Sequence, residues 1–70
     1  MPKRRDVMRA IERAAAAADL PTTAREGANH TLLSIGSTTD SVPRHRELAR
    51  FTAEAIFERL ERELGPRWWT

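Results

Sequence analysis

The chain has 70 residues, of which 40% are hydrophobic and 31% charged, with twelve Lys and Arg against ten Asp and Glu and no cysteine. That length fits one domain spanning 1–70 and leaves no room for a deep pocket, and the lack of cysteine excludes disulfides, thiolate nucleophiles and cysteine-based zinc sites. No apolar run is long enough to span a membrane, and the basic start Met1-Pro2-Lys3-Arg4-Arg5-Asp6 leads into an amphipathic segment rather than a signal-peptide core, so a cytoplasmic protein is expected.

The net charge of +2 matters less than where the charge lies. Residues 1–13 carry five cations against two acids and 44–50 carry three against one, whereas 51–64 carry two against four. Two basic concentrations on one small domain suit a polyanion, because phosphate contacts supply most sequence-independent nucleic-acid affinity.

Val7, Ile11, Ala14 and Ala18 recur at helical spacing within an alanine-rich stretch, which predicts an amphipathic helix over about 3–18. Arg5, Arg9 and Arg13 fall on the opposite side, with Asp6 and Glu12 in reach of Arg9. Pro21 ends the helix, since the residue before a proline leaves the α region. The β-branched pair in Thr22–Glu26 and the alternation from His30 to Ile35 predict strands over about 22–26 and 30–35, joined by a hairpin at Gly27-Ala28-Asn29. Gly27 and Asn29 are expected to supply the positive φ of that tight connection. If Thr31, Leu33 and Ile35 face the helices, His30 faces the uncovered side of the sheet. A turn-rich Gly36–Asp40 is expected before a short third strand over about 40–43, which Pro43 ends. A second helix over about 49–64 buries Ala53, Ile56, Phe57, Leu60 and Leu64 and stops at Gly65-Pro66. Phe51 either precedes that helix or is an exposed apolar contact for a partner. Trp68 and Trp69, in the tail 65–70, can fold back on the sheet, stack on bases or meet another chain, and folding back is the expected outcome.

The result is an α+β domain of order α-β-β-β-α, a three-stranded antiparallel sheet covered on one face by two helices, which is the order of the double-stranded RNA-binding domain fold. Within it, Arg25-Glu26-Gly27-Ala28-Asn29-His30 followed by Val42-Pro43-Arg44-His45-Arg46-Glu47 resembles the HicA toxins of bacterial toxin-antitoxin pairs, over roughly Lys3 to Leu64. Many members carry Gly-Ser-His where this chain has Gly-Ala-Asn-His. The resemblance implies an mRNA interferase that cleaves without a ribosome, a metal ion or another cofactor, a single catalytic histidine at His30 with Gly27 as the turn glycine, and a HicB-like antitoxin partner that covers the histidine.

The residues suit that chemistry. RNA cleavage can use the substrate's own 2′-hydroxyl, which needs a base, and a histidine with an ordinary pKa of about 6.5 is largely neutral at pH 7. Without the resemblance, His30 reads as a hairpin-end histidine bonded to its own turn. His45 lies between Arg44 and Arg46, which disfavour its cationic form, so a phosphate-binding or exposed loop role is expected over catalysis. Lys3, Arg4, Arg5, Arg44 and Arg46 are candidate phosphate contacts, and Arg25, near the hairpin, is a candidate transition-state cation. Two histidines fifteen residues apart, without cysteine or a carboxylate at ligand spacing, do not make a metal site. The competing readings are a non-catalytic RNA-binding module of the same fold and a protein-interaction domain using Phe51, Trp68 and Trp69.

Overall fold

A computed structural model describes residues 2–70 and has the order α1 (Arg4–Ala17), β1 (Thr22–Glu26), β2 (His30–Ile35), β3 (Thr38–Pro43), α2 (Arg50–Arg59) and α3 (Glu61–Leu64). The three strands form one antiparallel sheet in the order β1-β2-β3, with the helices on one of its faces. Period-two alternation decides which face: Thr31, Leu33 and Ile35 of β2 are buried while His30 and Leu32 are exposed. Val7, Ile11 and Ala15 of α1, Leu48, and Ala53, Ile56 and Leu60 at the second helical segment complete the core over Leu33, Ile35 and Val42. Among the described residues no helix is long and apolar enough to cross a membrane.

α1 ends without glycine or asparagine. Asp19 takes the left-handed conformation with φ 58°, and the Leu20 and Asp19 N–H groups donate back to the Ala15 and Ala16 carbonyls at 2.9 and 3.1 Å. This is the paired bond pattern of a Schellman stop, with half-buried Leu20 as its apolar contact. Asp19 adopts it because a short polar side chain tolerates αL better than a bulky one.

β3 begins at Thr38, two residues earlier than the turn-rich composition suggested. Ile35 pairs directly with Thr38, so Gly36-Ser37 is a two-residue turn. Gly36 has φ 58° and Ser37 does not share the left-handed region, which is the pattern of a primed hairpin turn with glycine first. The Glu63 carboxylate accepts from Ser37 Oγ at 3.0 Å and Thr38 Oγ1 at 2.8 Å, and a Cβ on Gly36 would fall 2.3 Å from Glu63 Oε1. The anticipated single helix over 49–64 is broken at Leu60, where the N–H donates to Phe57 three residues back at 3.2 Å. The tighter turn brings α3, and with it Glu63, onto the β2–β3 turn.

The tail folds back, though onto α2 rather than the sheet. Trp68 Nε1 donates to the Phe57 carbonyl at 2.9 Å, and Phe57 meets Trp68 edge-on and Trp69 stacked, with ring centroids 5.0 and 5.6 Å away. Both tryptophans are half-buried, so the partner role anticipated for them competes with an intramolecular cluster. Phe51 lies inside the first turn of α2 and is 76% exposed.

Asp40 is the one acid in the core. It is 3% exposed on the helix-facing side of β3, where Oδ1 accepts from Arg59 Nε and the Ser41 N–H, both at 2.8 Å. Burial pushes its carboxyl above the ordinary range although the Arg59 guanidinium and the Ser41 N–H pull it down. The pair ties β3 to α2.

Candidate functional site

The register gathers the two sequence motifs at one end of the sheet. His30 of β2 is paired with Pro43 of β3, so the residues after Pro43 emerge beside the β1–β2 hairpin. Ala28, Asn29, His30, Arg44 and His45 line a single open recess of about 380 Å³ there. Both imidazoles are exposed. Among the described residues no group of three or more His, Asp or Glu is placed to hold a metal ion.

The hairpin that presents His30 works differently from the reading above. Neither Gly27 nor Asn29 has positive φ; among the described residues that region holds only Asp19, Gly36, Gly65 and Arg67. Gly27 is needed for close approach instead. Its N–H donates to the His30 carbonyl at 2.8 Å, and a Cβ would stand 3.1 Å from that oxygen, tighter than side chains ordinarily tolerate. Asn29 contributes its carbonyl, which accepts from the Arg44 N–H at 3.0 Å.

Arg44 and Arg4, anticipated as phosphate contacts, also fasten the fold. Arg44 Nη1 donates to the Gly27 carbonyl at 2.8 Å, and its Nε faces Glu26 Oε1 at 3.6 Å. Arg4 donates from Nε to the Pro43 carbonyl at 3.0 Å and from Nη2 to Thr31 Oγ1. Thr31, wholly buried, donates a hydrogen bond from its own hydroxyl to Glu26 Oε1 at 2.8 Å. The chain Arg4, Thr31, Glu26, Arg44 thus runs along the helix-facing side of the same sheet end and links α1, both strands of the hairpin and the segment after β3. His30 lies next to Thr31 in sequence and points the other way. The network fixes the backbone under His30 without engaging its ring. Composition gave no signal for Thr31 or Glu26, because what selects them is the cross-strand pairing Glu26 with Thr31.

The remaining cations are distributed unevenly. Lys3 pairs through its backbone with Glu47, and the Arg46 carbonyl accepts from the Arg4 N–H at 3.0 Å; the Lys3 and Arg46 side chains are both exposed and neither lines the recess. Arg5 is exposed and lies 3.4 Å from Asp6; Asp6 therefore pairs with Arg5 where Arg9 was anticipated. Arg25 pairs across the sheet with Leu32 and lines a neighbouring recess with Thr23, Ala24, Leu32, Ser34 and Thr39. It flanks His30 rather than sharing its recess.

The strand register completes the picture of the open face. Thr23 and Arg25 of β1, His30, Leu32 and Ser34 of β2, and Thr39, Ser41 and Pro43 of β3 share it, and no carboxylate does. The acids Glu26 and Asp40 both lie on the helix side. A larger recess, about 460 Å³, opens between α1 and α2 and is lined by Pro2, Asp6, Val7, Arg50, Ala53, Glu54, Phe57 and Trp69. It holds no histidine and sets two acids, Asp6 and Glu54, against one cation, Arg50, whereas the hairpin recess is lined by two histidines and an arginine with no acid.

No family model, curated protein or solved structure matches this chain.

Proposed function

We propose that the protein is an endoribonuclease of the HicA toxin type, acting on mRNA without a metal ion or cofactor, with His30 as general base. The observation that carries the reading is the convergence of His30, His45 and Arg44 on one exposed recess. Cleavage by internal transesterification needs two proton transfers on opposite sides of one phosphorus, and two imidazoles serve them well because a histidine exchanges protons near neutral pH. His30 takes the proton from the 2′-hydroxyl as the 2′-oxygen attacks phosphorus. His45 gives a proton to the departing 5′-oxygen as the P–O5′ bond breaks. The Arg44 side chain lines the same recess as the two histidines. The guanidinium stays near enough to the recess to favour the charge that builds on the phosphorane.

The products of this route are a 2′,3′-cyclic phosphate and a 5′-hydroxyl. The toxin reading also carries its partner, a folded HicB-like antitoxin seated over His30, and a cytoplasmic site of action. The test is to induce wild type and His30→Ala in a bacterial host while following growth and the chemistry of RNA ends. Wild type should arrest growth and leave cyclic phosphate or its opened form, and His30→Ala should do neither. Equal toxicity of the two, or 5′-phosphate ends, would overturn the assignment; intact RNA binding without cleavage by wild type would leave a binding module of this fold.

A further inference from the structure

We infer that the substrate is single-stranded RNA laid across the open face of the sheet, and that the recess formed by Thr23, Arg25, Leu32, Ser34 and Thr39 holds the nucleotide next to the one cleaved at His30. The inference rests on the nuclease reading for the position of the scissile bond, but the binding surface stands on its own observations.

The first is charge. Every ionisable side chain on the open face is Arg25 or His30, and the acids of the same strands point to the helices. The basic stripe on α1 lacks this property, since Asp6 and Glu12 lie among Arg5, Arg9 and Arg13 and Asp6 stands 3.4 Å from Arg5. A phosphate chain meets no like charge on this face of the sheet and meets two acids on the helix.

The second is continuity. His30 and Leu32 are successive outward positions on β2, roughly 7 Å apart along the strand, so the 410 Å³ recess at Leu32 begins one outward step from the histidine. It offers the parts a nucleotide needs: the Arg25 guanidinium for a phosphate, the Ser34 and Thr39 hydroxyls, 3.0 Å apart, for base edges or a 2′-hydroxyl, and Leu32, 39% exposed, as an apolar rest for a base. Hydroxyls both donate and accept.

The third is the reaction itself. Attack by the 2′-oxygen must come in line with the departing 5′-oxygen, and an A-form duplex holds the 2′-oxygen off that line. A strand splayed on a flat surface is free to reach it, and splayed bases are the ones whose edges proteins read.

The experiment uses the full chain carrying His30→Ala, so that RNA is bound and not consumed, and a fluorescently labelled RNA of about twelve nucleotides, alone or annealed to its complement. By anisotropy, adding Arg25→Ala should weaken single-strand binding about tenfold and flatten the slope of log K against log salt by about 0.7. Leu32→Glu, which places a carboxylate on this face, should weaken it at least as much, whereas Arg9→Ala with Arg13→Ala should change it less than about twofold. Circular dichroism confirms folding, and both sheet positions are exposed. Tighter binding of the duplex, or loss of affinity on the helix substitutions with none on the sheet substitutions, overturns the inference. Failure of the nuclease reading would appear elsewhere, as absence of cleavage by wild type.

Discussion

At one end of the sheet Glu63 accepts from Ser37 and Thr38 and closes the β2–β3 turn; at the other, Glu26 accepts from Thr31 and faces Arg44 beneath the β1–β2 hairpin. Each end is tied by a carboxylate, Glu63 through two hydroxyls and Glu26 through one hydroxyl and a guanidinium. They differ in what stands above the tie. The Gly36 end presents a turn whose polar groups are spent on Glu63, while the Gly27 end presents two exposed imidazoles over a backbone that Arg4, Thr31, Glu26 and Arg44 already hold. Polar groups consumed by the fold mark structure. Titratable groups left facing solvent over a backbone that is held in place mark a candidate site.

The sharpest way to test the site end is to remove the proton donor proposed for it. His45→Ala should lower the rate of RNA cleavage by about two to three orders of magnitude, with binding of the His30→Ala background unchanged within about twofold. The defect should vanish on a substrate whose 5′-bridging oxygen is replaced by sulfur, because a thiolate leaves without protonation, while a His30→Ala defect should persist on both substrates. The pH–rate profile of His45→Ala should also lose its basic limb. An equal defect on oxygen and sulfur would remove His45 from the role of acid and leave it as a phosphate contact.

Breaking each tie separates stability from chemistry. Gly36→Ala forces a side chain into φ 58° and against Glu63, which should cost about 2–3 kcal/mol of unfolding free energy in urea titration. Thr31→Val keeps the shape and removes the hydroxyl between Arg4 and Glu26, at about 1–2 kcal/mol. At a temperature where both variants are fully folded, Thr31→Val should cleave RNA more slowly than wild type and the less stable Gly36→Ala should cleave normally. If activity instead follows stability across the two, the ties are equivalent and the network under His30 has no positioning role.

Much of this arrangement is legible from residues. The helical spacing of Val7 and Ile11 and the alternation from His30 to Ile35 identify α1, β2 and the buried face, and they place His30 on the open side, because periodicity reports burial directly. Tertiary partners are not so reported. Nothing local distinguishes Arg4 or Arg44, which spend their guanidinia on the fold, from Arg46, and the left-handed residue that ends α1 is an aspartate. The meeting of His30 with His45 depends on turn length alone. Once Gly36-Ser37 is taken as a two-residue turn, counting outward from Ile35 and Thr38 sets His30 opposite Pro43, with His45 two residues beyond. A turn drawn from Gly36 to Asp40 hides that register, and with it the second histidine.

The smallest expected effect distinguishes the two acids that the helical layer uses. Glu63 has its carboxyl held below the ordinary glutamate value, first by the Thr38 and then by the Ser37 hydroxyl. A depressed carboxyl stabilises the fold fully above the unfolded value and loses that contribution as pH falls through its folded one. Asp40 runs the other way: burial raises it above the ordinary aspartate value, so it binds a proton more readily folded than unfolded, and its ionisation lowers stability as pH rises through that window. Glu63→Gln removes the first dependence and keeps the second. The stability difference between wild type and Glu63→Gln, measured in urea across the acid range, should be constant above the unfolded carboxyl value and shrink as pH falls below it. In the variant, stability should decline as pH rises through the Asp40 window, and RNA cleavage at neutral pH should be unaltered. A difference that stays constant throughout the acid range would mean that the hydroxyls of Ser37 and Thr38 favour neutral and ionised Glu63 alike, and the β2–β3 turn would then be held by its glycine geometry rather than by charge.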